Sequence, residues 1–251
     1  MNDLSLLIDL HLKGQRQGPG GDEQTRLAVK LSGLEQKSDL KIADIGCGTG
    51  ASTLVLAELL EASITAVDLL PEFLGCLNNT IANTALESRI TTLEASMDSL
   101  PFDEHSLDAI WSEGAIYNMG FTAGVKAWRP FLKPGGILAV SELTWLTASR
   151  PAELDQHWQQ EYPEVDTAAG KIAVLEANGF SPVGYFPLPQ RCWLENYYRP
   201  MQARFAEFLD RHSHTDAAKA IVEAERAEIS LYERYSSYVS YGYYIAEKVG
   251  E

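Results

Sequence analysis

The chain has 251 residues, 45% of them hydrophobic, enough for one domain with one sizeable core. Its formal net charge of −15 argues against grasping nucleic acid or an anionic membrane, because both need a basic face. Cys47, Cys76 and Cys192 lie too far apart to suggest a disulfide framework or a zinc site, and no metal ligands are assigned.

In chain order, Leu4, Leu7, Ile8 and Leu12 recur at helical spacing and predict an amphipathic helix packed on the core. Asp9 interrupts that apolar stretch, unlike a signal peptide, and no run approaches the ~20 apolar residues of a membrane span. A reducing cytoplasm is the expected setting. Gln15 to Gly21 form a Gly-Pro-Gly-Gly loop, either a connector or a flap over a ligand, and Asp22 is the expected N-cap of a helix reaching Ser32. Strand and helix then alternate. Strands are expected at 41–45, Ile64–Asp68, Ile90–Glu94, Leu107–Trp111 and Ile137–Ser141, with helices opening at Ala51, spanning Pro71–Thr84, including Val125–Phe131, and running from Val165 to Asn178. After Gly179 the alternation changes. Pro182–Leu188 and Tyr238–Val249 read as strands, and between them Val222, Ile229 and Tyr232 share one helical face, as do Ile221, Ala224, Leu231 and Tyr235.

Repeated β-then-α units predict an α/β, doubly wound, mostly parallel sheet of seven strands with an antiparallel last strand. The division that follows is a helical cap over 1–40, a core over 41–188, a helical insertion over 189–237 and a final strand over 238–251. In such sheets a ligand sits outside the carboxyl ends of the strands, at the switch point beside the first one.

That point falls at Asp44-Ile-Gly-Cys-Gly-Thr-Gly50. Gly46, Gly48 and Ala51 fit the dinucleotide fingerprint, which keeps a nicotinamide or flavin enzyme in play. Asp44 tilts the reading elsewhere: a carboxylate there repels a pyrophosphate and pairs with a ligand ammonium group. Its plainer role, shared by Asp68, is to cap the helix that follows.

Taken together, the first glycine motif at 44–50, Asp68 closing the second strand, Leu100-Pro-Phe102 with Ser106-Leu-Asp108, and Leu132-Lys-Pro-Gly-Gly136 resemble the class I S-adenosylmethionine-dependent methyltransferases, with their Rossmann-like fold. Gly18-Pro-Gly20, Ser112-Glu-Gly-Ala-Ile-Tyr-Asn118, Ser141-Glu142 and Cys192-Trp193 resemble a bacterial subgroup of that family; this closer resemblance implies the cofactor and leaves the acceptor open. Carried over, the resemblance implies that Asp44 accepts from the methionine ammonium of S-adenosylmethionine, and that Gly46, Cys47 and Gly48 present backbone to its methionine and ribose. It implies further that Asp68 takes the two ribose hydroxyls, that Leu69 covers the adenine, that Ser96 and Met97 stand at the adenine edge, and that Glu113 lies near the methionine end. Ser96 departs from the common pattern, which carries an acid there.

Methyl transfer from a sulfonium asks the protein to align an acceptor and exclude water, so no catalytic residue is assigned. Tyr117, Asn118, Glu142 and Trp193 are the expected acceptor-binding residues, with Trp145, His157 and Tyr197 as further candidates on neighbouring loops. The resemblance would tie an Asn-Pro-Pro-Tyr or Asp-Pro-Pro-Tyr run after the fourth strand to amino-group methylation of bases and glutamine; none is present, which together with the acidic charge argues against DNA or RNA as acceptor. A small molecule is the expected acceptor, and a homodimer is left open. The alternatives are an NAD(P)-dependent oxidoreductase and a non-catalytic module that binds S-adenosylmethionine.

Overall fold

The computed structural model describes residues 3–250; the outermost positions of the expected cap and final strand, 1–2 and 251, lie outside the described residues. An eight-stranded sheet forms from β1 (Leu40–Ile45), β2 (Ala62–Asp68), β3 (Ile90–Glu94), β4 (Leu107–Glu113), β5 (Leu132–Trp145), β6 (Asp166–Thr167), β7 (Phe180–Pro187) and β8 (Val239–Lys248). The order along the sheet is β3-β2-β1-β4-β5-β8-β7, with the two-residue β6 paired to the far end of β5. All pairings are parallel except those of β8, which runs antiparallel to both β5 and β7. The expected architecture is therefore present with one strand more than expected. Asp166 and Thr167, read as part of a helix, instead pair with Thr144 and Trp145, and Thr167 then caps the helix behind it by accepting from Gly170 N.

Burial follows the two-residue period of a sheet covered on both faces. Along β5, Ile137, Ala139 and Leu143 pack into one apolar cluster, while Leu138 and Val140 enter the other. Helices α2 (Asp22–Ser32), α3 (Ala51–Leu59) and α4 (Pro71–Ile81) contribute to the first cluster; α5 (Phe121–Trp128) and α7 (Ala168–Ala177) contribute to the second. Pro71 sits in the first turn of α4, where its missing N–H costs nothing.

Two further groups of helices stand over the sheet's carboxyl edge. One is α6 (Ala152–Glu161), not expected from the sequence, and α1 (Asp3–Leu12). The other is the expected insertion, built as α8 (Gln190–Trp193), α9 (Arg199–Arg211) and α10 (Asp216–Tyr235), and α1 packs on its last two helices. The N-terminal stripe behaves differently from expectation. Leu6 and Leu10 are the residues of α1 buried in the core, whereas Leu4, Leu7 and Ile8 face a cavity. The N-cap of α2 is Gly21, not Asp22; Asp22 is the first helical residue and accepts from Arg16.

Candidate functional site

Strand β1 pairs with β2 on one side and β4 on the other, so the chain reverses its direction of sheet-building between β1 and β4. The loop leaving β1 holds Gly46, Gly48 and Gly50 at φ of 71°, 57° and 91°, where a side chain is strained. Space is also short: a Cβ on Gly46 would strike Ala115, and one on Gly48 would strike Gln17. The backbone N–H groups of this loop are used within the protein. Gly46 and Cys47 donate to Val67 O at 2.8 and 3.0 Å, Gly48 to Asp68 Oδ2 at 2.9 Å, Thr49 to Gln17 Oε1 at 2.9 Å and Gly50 to Cys47 O at 3.0 Å. The loop therefore offers a ligand its Cα atoms and close approach, and no amide of residues 46–50 is left to grip a pyrophosphate.

Asp44 is fully buried behind this turn and does not line the cavity. Its Oδ2 accepts from Ser52 Oγ at 2.8 Å and Thr53 Oγ1 at 2.6 Å, which ties β1 to the first turn of α3, while Oδ1 has no hydrogen-bond partner among the described residues. Burial pushes its carboxyl up to about 7, against the pull of those two hydroxyls. Asp68 stands on the cavity wall. Its Oδ1 accepts from Leu70 N and its Oδ2 from Gly48 N, both at 2.9 Å, so each oxygen keeps a lone pair for a ligand. Burial raises its pKa while the Leu70 and Gly48 amides lower it. Cys47 also lines the cavity, but burial holds its thiol well above the usual range, which makes it a spacer and not a nucleophile.

Glu113, at the end of β4, accepts from Trp111 Nε1, Thr25 Oγ1, Tyr243 OH and Arg16 Nη1 at 3.1, 2.6, 3.0 and 3.0 Å. Its carboxylate thereby takes donors from four segments, three on Oε1 and Arg16 on Oε2. Arg16 in turn reaches Asp22 at 2.9 Å. This pair of contacts straps the glycine-proline loop across the sheet edge, so that Gln17, Gly18 and Pro19 become cavity wall. On the other flank Leu69 is 62% exposed at the cavity rim, with Ser96 and Met97 beside it; Trp128 Nε1 donates to Met97 O at 2.9 Å and holds that turn.

The cavity has a volume of about 1210 Å³, larger than the roughly 300–1,000 Å³ of an ordinary ligand pocket. The structure brings Gly46, Cys47, Gly48, Asp68, Leu69, Ser96, Met97, Glu113, Tyr117, Asn118 and Trp193 together around it, with His157 and Tyr197. It leaves out Asp44, Glu142 and Trp145. The reason for the last two is that β5 continues to Trp145 instead of ending near Ser141, so both lie inside a paired strand. Glu142 stands behind the lining residue Tyr162, whose OH donates to it at 3.1 Å; burial raises its pKa to about 7, with nearby Lys171 opposing. Sequence reasoning missed Arg16 and Gln17 as individuals, Asp98 beside Met97, and Trp158, Glu225, Glu228 and Tyr241 elsewhere on the lining. Asp98, two places after Ser96, was within reach of the motif; the others come from elements with no local signature.

Residues 42–136 match the profile of a methyltransferase domain. A methyltransferase of Bacillus subtilis (strain 168), YodH, is 32% identical over 55% of this chain and 57% of its own length. The chain spans 51% and 57% of the length of two of the first curated relatives it matches, and 80% of another, the 27-O-demethylrifamycin SV methyltransferase of Amycolatopsis mediterranei (strain S699), at 23% identity over 87% of this chain. Among solved structures, the [4+2]-cyclase SpnF aligns over 98% of this chain and 94% of its own with a TM-score of 0.77 at 21% identity. An S-adenosylmethionine-dependent methyltransferase from Thiobacillus denitrificans, solved with S-adenosyl-L-homocysteine, aligns over 99% and 98% with a TM-score of 0.83 at 13% identity. At these identities the structural matches show a shared fold. Residues 42–136, the part of the chain that holds the glycine turn, Asp68 and Glu113, carry the sequence pattern of a methyltransferase domain.

Proposed function

We propose that the protein is an S-adenosylmethionine-dependent methyltransferase acting on a small-molecule acceptor. The observation that carries this reading is the glycine turn whose own amides are all occupied, flanked by a carboxylate with open lone pairs and opening into a cavity with room for two ligands. The occupied amides fit a nucleotide that lacks a pyrophosphate and disfavour NAD(P). Asp68 holds the ribose hydroxyls in this reading, Leu69, Ser96 and Met97 border the adenine, and Gly46 and Gly48 admit the methionine portion against bare backbone. The orphaned Oδ1 of Asp44 provides negative charge behind the turn for the ligand ammonium, without touching it in this structure.

The cofactor supplies an activated methyl group on sulfonium. The protein's contribution is to align the acceptor with that methyl group, exclude water and surround the transfer with low-polarity walls. Tyr117, Asn118 and Trp193 line the acceptor side, and Trp193 is held rigidly by stacking on Tyr232 at 4.4 Å and by donating to Ser240 Oγ at 2.9 Å. A cavity with no lysine among its described lining residues suits a small molecule better than a nucleic acid.

Calorimetric titration with S-adenosylmethionine, S-adenosylhomocysteine and NADH tests the reading. The first two are expected to bind at micromolar level and NADH not at all; binding of NADH alone would sink it. Asp68→Ala should weaken S-adenosylmethionine by roughly 10- to 150-fold, the worth of about 1.5–3 kcal/mol for hydrogen bonds to a charged group. A second reading is favoured by the cyclase neighbour, which shares the fold under a name that mentions no methyl transfer. It predicts cofactor binding with no S-adenosylhomocysteine formed from any acceptor.

A further inference from the structure

The wall opposite the glycine turn has its own chemistry. Helix α10 presents Glu225 and Glu228 one turn apart, and Glu161 of α6 lies close enough to raise the pKa of Glu228. Around them stand the rings of Tyr117, Trp193, Tyr197 and Tyr241. These rings are fixed by their neighbours: Tyr241 meets Trp193 edge-on at 4.9 Å, Tyr197 leans on Tyr198 at 5.1 Å, and Tyr117 meets Tyr162 edge-on at 6.0 Å. The hydroxyls of Tyr197 and Tyr241 have no hydrogen-bond partner among the described residues. Burial, and then the surrounding carboxylates and hydroxyls, keep both well above their usual pKa, so they stay neutral dipoles and never phenolates.

The cations of the cavity are already matched. Arg16 pairs with Glu113 and Asp22, Arg234 with Glu153 at 2.9 Å, and His11 lies 3.6 Å from Glu225. A carboxylate or phosphate entering here finds no free positive partner among the lining residues. A positive charge finds π faces, hydroxyl dipoles and surplus carboxylate, the surroundings that recognise ammonium groups.

Resting on the methyltransferase reading of this cavity, we propose that the acceptor is an amine, its nitrogen bordered by Tyr117, Trp193, Tyr197 and Tyr241 and its positive charge balanced by Glu228, with the Glu225 carboxylate that faces His11 beside it. The step balances with the groups at hand. An ammonium acceptor first gives a proton to a carboxylate of the cluster or to water. The nitrogen lone pair then forms the N–CH3 bond as the S–CH3 bond breaks, its electron pair stays on sulfur as a neutral thioether, and the product nitrogen carries the positive charge. Glu228 is a positioning residue here, itself oriented by Tyr198 OH at 2.8 Å; burial raises its pKa, which a bound cation would draw back down.

Two probes of equal shape decide it: choline and its uncharged carbon isostere 3,3-dimethylbutan-1-ol, titrated calorimetrically into the wild-type protein with and without saturating S-adenosylhomocysteine. Choline is expected to bind at least about tenfold more tightly, with that preference falling roughly tenfold in Glu228→Gln and in Tyr241→Leu and persisting in Tyr241→Phe, which keeps the ring. Equal binding of the two probes, preference for the isostere, or no binding of choline would overturn the proposal, and the wild-type pair alone is decisive if a variant fails to fold. Heat from S-adenosylhomocysteine with no discrimination between the probes removes the amine and leaves the methyltransferase. Discrimination without any cofactor heat supports the amine site and removes the cofactor.

Discussion

At the scale of single residues, the informative position is Asp44. Its proton is held up to about 7 because burial outweighs two hydroxyl donors, and its second oxygen is unpaired. A bound ammonium group favours the ionised form, so binding of S-adenosylmethionine should release this proton below pH 7. Affinity is then expected to rise by about tenfold between pH 6 and pH 8 and level off above, the behaviour of one linked proton. Calorimetry across that range checks it, and in Asp44→Asn the rise should vanish. A wild-type affinity that stays flat would mean that Asp44 serves β1 and α3 alone. Glu113 is the contrasting case, a carboxylate so fully supplied with donors that it organises its surroundings instead of waiting for a ligand.

At the scale of elements, the strap from Arg16 to Pro19 joins α1 and α2 across the carboxyl ends of β1 and β4. Arg16→Met leaves Glu113 buried without its cation, and the cost should be roughly 3 kcal/mol, a fall of about 6–12 °C in Tm, near the low end for a broken buried pair because three other donors remain. Thermal unfolding would show it, and a change under 2 °C would deny the strap its role. The parallel part of the fold was legible in the sequence because buried strands such as Leu107–Trp111 and helix starts such as Pro71 carry local signals. Tyr241, Glu225 and Trp158 were not. They reach the cavity from a distant strand and two cap helices, and no local pattern records which face of a helix will turn toward a ligand. Glu142 failed for a related reason: a β-strand's length depends on its partners, and pairing with β8 carries β5 well past Ser141. Leu4 and Leu7 show the limit of periodicity, since an apolar stripe marks a face without saying whether core or cavity lies against it.

At the scale of the whole molecule, two buried carboxyls, Asp44 and Glu142, are both raised to about 7. In the unfolded chain they ionise near 4, so between about pH 4 and 7 the unfolded state binds fewer protons and stability falls as pH climbs, becoming level above 7. The formal net charge of −15 adds self-repulsion of the same sign. Thermal scans should therefore give a higher Tm at pH 5.5 than at pH 8, with the difference reduced in Glu142→Gln; the reverse order would contradict the buried-carboxyl account. The placement of β8 bears on how the molecule comes into being. It is the last strand in the chain, yet it lies inside the sheet, joining β5 to β7 and bringing Tyr243 to Glu113 and Tyr241 to the cavity. A nascent chain emerging from the ribosome can assemble β1 to β5 early, but β7 has nothing to pair with and the ligand chamber no back wall until residues 239–248 have been synthesised. The final closure joins residues as distant as Ile137 and Glu247, the kind of long-range pairing that slows folding. Until it happens the growing polypeptide exposes one open β edge at β5, a window in which a chaperone, or a bound cofactor, would have the most to protect.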